Sequence, residues 1–146
     1  MAGLSTRERL DVEWTCAKLT HRFAQLLDGG DWDGVSDLFA RDGALYRPSA
    51  PDEPVKGRAA IRAAYHARPA AKVTQHFITN TVVDVTSATE ATGVCYILMY
   101  TATPGEGVLK ADAVETLGRY HDRFVLEDGT WKFLERRGSV SMKTVG

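Results

Sequence analysis

Cysteine is scarce. Cys16 and Cys95 are the only two in 146 residues, and their separation matches no metal-type spacing, so the expectation is two reduced thiols in a cytoplasmic protein. An excess of charge of one sign is also lacking. Eighteen Lys and Arg against 19 Asp and Glu leave a net charge of −1 and a pI of about 6.4, without the strong basic excess that a nucleic-acid binder needs. No apolar run approaches the ~20 residues required to span a bilayer. The segment Met1–Trp14 places charges where a signal peptide needs its apolar stretch, so neither membrane insertion nor export is expected. Gly29-Gly30 and Gly105-Glu106-Gly107 lack the spacing and the Lys-Ser or Lys-Thr of a phosphate loop, and no Ser lies in a Gly-x-Ser-x-Gly elbow. The four histidines, His21, His66, His76 and His121, show neither His-x-His nor His-Glu-x-x-His spacing, so no metal site is expected.

The remaining composition is that of a globular chain, 44% apolar and 25% charged, and the length points to one domain over residues 1–146. A domain of this size buries roughly 68–70% of its unfolded surface, enough for a core with a pocket inside it. Val12, Cys16, Leu19, Phe23, Leu26 and Leu27 recur at three- and four-residue spacing and predict a helix over 6–28, which Gly29-Gly30 terminate. Asp31 is placed to cap a second helix, Trp32–Phe39. A turn at Arg41-Asp42-Gly43 leads into a short strand, Ala44–Arg47. Pro48, Pro51 and Pro54 make 48–56 read as a surface loop, because proline has no N–H for a sheet ladder. A third helix, Arg58–Arg68, ends before Pro69. From residue 73 the apolar period becomes two, and Phe77–Val85, Ala91–Thr101, Val114–Leu126 and Trp131–Val140 read as strands. Glu127-Asp128-Gly129-Thr130 is a hairpin signal, and the Gly- and Pro-containing stretch Thr103–Asp112 reads as a mobile loop over the mouth of a pocket. Three helices followed by mostly antiparallel strands define an α+β fold.

Candidate chemistry sits at the ends of these elements. Asp28 closes the first helix, where a carboxylate opposes the helix dipole. On the strand that begins Gln75-His76, a period of two puts His76, Ile78 and Asn80 on one face. On the third long strand Tyr120, Asp122 and Phe124 share a face, opposite Arg119, His121 and Arg123. Trp32 is placed either in the core or as one wall of a pocket. Tyr46 is either a core residue with a satisfied hydroxyl or a donor aimed into a cavity.

Several segments carry a family resemblance. Leu27-Asp28-Gly29-Gly30-Asp31-Trp32-Asp33, then Leu38-Phe39-Ala40-Arg41-Asp42-Gly43, resemble the first two helices of SnoaL-like proteins of the nuclear transport factor two-like superfamily. Lys56-Gly57-Arg58-Ala59-Ala60-Ile61 resembles the start of their third helix, and Thr74-Gln75-His76-Phe77-Ile78-Thr79-Asn80 their Thr-x-His strand. Gly118-Arg119-Tyr120-His121-Asp122 and Asp128-Gly129-Thr130-Trp131-Lys132-Phe133 are similar to their final hairpin. The resemblance spans residues 8–138 or so. It implies a cone: a curved, mostly antiparallel sheet wrapped around three helices, enclosing an apolar pocket. In the scytalone dehydratase branch it implies a His–Asp general base, with Asp28 and His76 at the two positions and Tyr46 at that of a carbonyl-activating tyrosine. Leu27, Thr101 and Tyr120 stand where that branch has other polar groups.

Together these imply a cofactor-independent dehydratase or isomerase acting on a small, largely apolar, oxygenated ring. His76 would take a proton, since an imidazole has an ordinary pKa near 6.5. Asp28 would fix its tautomer, Tyr46 and Tyr120 would polarise the substrate, and Asn80 and Trp32 would line its pocket. Two alternatives stand beside this one. A cyclase or epoxide-hydrolase-like enzyme would use Asp122 as acid or base. A binding module would resemble the small subunit of ring-hydroxylating dioxygenases. The resemblance further implies a homodimer.

Overall fold

Ser5 starts the first helix by a reciprocal cap. Its hydroxyl accepts from the Glu8 N–H at 3.2 Å, and the Glu8 carboxylate accepts from the Ser5 N–H at 2.8 Å. Helix α1 then runs Thr6–Asp28 and stops at Gly29-Gly30, where Gly30 takes φ +69°. Asp31 caps α2 by accepting from the Gly34 N–H at 2.8 Å. Helix α2 covers only Trp32–Asp37, and the chain is already extended at Phe39. Helix α3 is Arg58–His66. The computed structural model describes residues 3–69 and 72–145, so the ends of the expected domain at 1, 2 and 146 lie outside the described residues.

Six strands form one sheet: β1 Phe39–Arg47, β2 Ala50–Lys56, β3 Val73–Val85, β4 Glu90–Ala102, β5 Thr116–Glu127 and β6 Thr130–Lys143. Their spatial order is β2-β1-β6-β5-β4-β3. All neighbours are antiparallel except β1 and β6, which run parallel with Phe39 beside Phe133 and Leu45 beside Arg136. The segment 48–56, read from its prolines as a loop, is thus mostly strand β2. Its position resolves the conflict, because β2 is an edge strand and Pro51 and Pro54 need no partner on the open side.

The sheet curls around α1. Phe23 on that helix packs edge-on against Phe39, Tyr120 and Phe133, with ring centroids 5.8–6.2 Å apart, an arrangement favoured by the ring quadrupoles. Cys16, Val35, Ile61 and Cys95 complete a fully buried centre. Burial pushes the Cys16 thiol up to about 12, with the charge of Asp122 adding to the effect, and Cys95 is also raised, chiefly by burial. Both thiols are free. Among the described residues no helix is long and apolar enough to cross a membrane.

Irregular pairing decides which side chains face inward. In β3 the half-buried positions are even-numbered as far as Ile78 and odd-numbered from Thr81. The register shifts between Thr79 and Val82, with Asn80 at φ 53°. One extra residue in a strand reverses its parity. A second shift, between the Phe124–Phe133 and Arg123–Glu135 pairs, makes Leu134 the extra residue and turns Arg136 and Gly138 inward.

Candidate active site

The end of α1 and the start of β3 bring Asp28 and His76 together. Asp28 Oδ1 lies 2.5 Å from His76 Nδ1 and accepts from the Thr74 hydroxyl at 2.9 Å. Its Oδ2 accepts from the His76 backbone N–H at 2.8 Å. Three donors therefore converge on one carboxylate, which answers the cost of placing it at a helix C-terminus. Both side chains are mostly buried, at 10% exposure for His76 and 20% for Asp28. With Nδ1 turned to Asp28, Nε2 is the ring nitrogen left free of the carboxylate.

Asp28 and His76 line a cavity of about 790 Å³, within the size range of small-molecule sites. Leu27, Trp32, Tyr65, Val73, Met99, Tyr120 and Val140 supply its apolar and aromatic wall. Trp32 stacks on Tyr65 with centroids 5.5 Å apart and 10° between planes, and the Arg68 guanidinium lies over both rings. Burial raises the Tyr65 and Tyr120 hydroxyls above the ordinary phenol value, so both remain protonated donors. Tyr120 fits because its neighbour across the hairpin is Gly138. A Cβ there would stand 2.4 Å from Pro48 Cγ and 2.9 Å from the Tyr120 ring.

The other singled-out residues lie elsewhere. Tyr46 is not in the cavity wall. On β1 Leu45 faces the core, so Tyr46 points to the opposite face, where the Arg137 guanidinium stacks on its ring at 3.8 Å, and Arg47 lines the cavity instead. Asn80 is exposed at the β3 bulge and takes no part in the site. No residue of Thr103–Asp112 lines the cavity, which corrects the expectation of a covering loop. Asp112 is held instead by the Thr101 hydroxyl at 2.5 Å and by Lys72 at 3.2 Å.

Asp122 does point inward, as the alternation implied, but it lies one layer behind the wall. It is 1% exposed beside a fully buried Arg136, with Arg136 Nε 3.7 Å from Asp122 Oδ1, beyond hydrogen-bond reach. The guanidinium is enclosed by aromatic rings, 3.7 Å from the centroid of Tyr120, 4.4 Å from Phe23 and 4.6 Å from Phe133, a cation–π arrangement. It also approaches Cys95 Sγ at 3.6 Å. Neither Asp122 oxygen has a hydrogen-bond partner among the described residues. Burial outweighs the pull of Arg136 and raises the Asp122 carboxyl to about 6.

Sequence reasoning missed Arg47, Tyr65, Arg136 and Lys143. The first was within reach, because alternation from the apolar Leu45 assigns Arg47, not Tyr46, to the inner face. Arg136 had no such signal, since the Leu134 bulge alone turns it inward.

This architecture, three helices inside an open, curved, mixed sheet, is that of the nuclear transport factor two-like superfamily. The chain belongs to the SnoaL-like domain family, whose model matches residues 8–137. Among solved structures it is similar to a candidate scytalone dehydratase from Novosphingobium aromaticivorans, with 23% identity over 96% of this chain and 91% of that one and a TM-score of 0.81. Type 2 hexachlorocyclohexane dehydrochlorinase (LinA) is 18% identical over 96% and 92% of the two chains, with a TM-score of 0.80. ActVI-ORFA from Streptomyces coelicolor is 22% identical over 87% and 95%, at 0.71. No curated protein matches the sequence. At these identities the structural likeness establishes the fold.

Proposed function

We propose that this chain is a lyase or isomerase that removes a proton from a small oxygenated ring substrate, with His76 as general base and Asp28 as its orienting partner. The observation that carries this reading is the 2.5 Å contact between His76 Nδ1 and Asp28 Oδ1 in the wall of the cavity. It leaves Nε2 as the basic atom available to a substrate. His76 takes a proton from the carbon next to a carbonyl, and the imidazolium that forms is stabilised by Asp28. Tyr65 or Tyr120 donates to the oxygen on which charge develops. The imidazolium then returns its proton, either to a departing hydroxyl, which leaves as water, or to another carbon of the ring. Both routes conserve electrons, so the reaction calls for no cofactor. The fold neighbours named for dehydration and dehydrochlorination support this class of chemistry.

The dyad is preferred over Asp122 because His76 reaches the cavity and Asp122 does not. Screening cyclic hydroxy-ketones for loss of water, followed by absorbance, tests the reading. Turnover that disappears in His76→Ala with the fold intact is expected; a His76→Ala protein that turns over normally overturns it.

The proposal includes a homodimer through the outer face of the sheet. Phe77, Val82, Val94 and Tyr96 are exposed there on the neighbouring strands β3 and β4, and apolar side chains grouped on one face mark interaction surfaces. Sedimentation analysis of a Phe77→Arg, Tyr96→Arg variant checks this, with dissociation to monomer as the expected outcome.

A further inference from the structure

The cavity wall is unevenly charged. Arg47, Arg68, Lys72 and Lys143 line it, whereas Asp28 is the one carboxylate among its lining residues and is fully engaged by Thr74 and His76. Two of the four cations are already occupied. Lys72 donates to Asp112 at 3.2 Å and to the Thr103 hydroxyl at 3.0 Å, and Arg68 lies over Trp32 and Tyr65. Arg47 differs from both. Its Nε is sealed from water and has no hydrogen-bond partner among the described residues. A buried guanidinium N–H without an acceptor costs the full desolvation of that group. The two terminal nitrogens of the same guanidinium are not sealed in this way, and a ligand in the cavity can supply acceptors to them. A guanidinium presents a planar fork of donors, which matches a carboxylate better than a single neutral oxygen.

We propose that Arg47 is the specificity residue of this cavity and binds a carboxylate on the substrate, so that the site takes ring acids in preference to neutral rings. This rests on the reading that the Asp28–His76 cavity holds a small ring substrate, and it does not depend on which group moves the proton. The carboxylate docks on Arg47, and the ring occupies the wall formed by Trp32, Tyr65 and Met99. Lys143 on the rim adds attraction through solvent, which salt screens.

The test is calorimetric binding of a naphthalene carboxylate and its neutral carboxamide at pH 8, where an ordinary imidazole is uncharged. The wild-type protein is expected to bind the acid roughly 10-fold or more tightly than the amide, the size of one charge-assisted hydrogen bond. In Arg47→Gln the two affinities should converge while that for the amide holds, which also shows that the variant is folded. Arg47→Lys should recover part of the preference. Equal binding of acid and amide to the wild type overturns the inference but leaves the cavity as a ring site. A preference that survives Arg47→Gln overturns it in the same way. Failure of both probes to bind overturns the inference together with the ring-substrate reading beneath it.

Discussion

Two aspartates face the interior of this molecule, and their settings are opposite. Asp28 lies at the cavity, partly exposed, with three donors on its two oxygens. Asp122 lies behind the wall, sealed from water, with a guanidinium 3.7 Å away and no hydrogen bond to either oxygen among the described residues. A carboxylate that accepts several hydrogen bonds is held in place and stays charged cheaply. One that has only a poorly aligned cation in a dry interior recovers little of its desolvation cost. The first arrangement is suited to holding a histidine in one tautomer. The second fixes the interior at the expense of stability, so the two pairs should respond differently to the same kinds of change.

The largest effects should be on activity at the first pair and on stability at the second. His76→Ala is expected to lower turnover about 10²–10⁴-fold, and Asp28→Asn by a similar order, because an amide in that place no longer favours the Nδ1–H tautomer. Urea unfolding of either variant should show far less loss than that of Arg136→Met, which takes away the one cation beside the buried carboxylate. Leaving Asp122 without its cation in the core is expected to cost about 3–5 kcal/mol. Replacing both members, as in Asp122→Leu with Arg136→Met, sharpens the contrast. That double variant should regain the loss and equal or exceed the wild type in the same urea titration, as buried ion pairs replaced by apolar groups commonly do.

A smaller effect follows from the raised Asp122 carboxyl. Its folded value of about 6 lies above the ~3.9 of an unfolded aspartate, so between those values the folded protein binds more protons than the unfolded chain. Its contribution to stability therefore falls as pH rises from about 4 to 6 and is flat above, by on the order of 2–3 kcal/mol. Unfolding midpoints measured across that range should lose this component in Asp122→Asn. The smallest expected change is at Thr74→Val, which removes one donor from Asp28. Turnover should drop roughly 10-fold with little change in thermal midpoint. An unchanged rate would mean that the remaining two donors suffice to hold the carboxylate.

Much of this arrangement was legible in the residues. The apolar stripe from Val12 to Leu27 and its glycine stop placed α1 and, with it, Asp28 at a helix end. The period of two placed His76 at the head of a strand and turned Tyr120 and Asp122 inward together. Two of the departures share one cause. Periodicity assumes that parity is kept along a strand, and the bulges at Asn80 and Leu134 break it. Asn80 thereby left the face of His76, and Arg136, set in a charged run beside Glu135 and Arg137, entered the core unannounced. Tyr46 failed for a different reason. Family resemblance assigned its role, whereas its neighbour Leu45 already implied the outward direction. The prolines of β2 misled because an edge strand tolerates what a central strand does not.

The parallel ladder between β1 and β6 has a consequence for how the site comes into being. Asp28 and His76 both precede the last three strands, but the cavity around them is closed by Tyr120 and Val140 from the last two. Phe39 must find Phe133, 94 residues further along the chain, before the cone exists. Such distant partners carry a large loop-closure entropy and are met late. During synthesis Asp28 and His76 thus leave the ribosome well before there is an enclosed volume around them, and a chain halted short of β6 would carry these residues without the cavity.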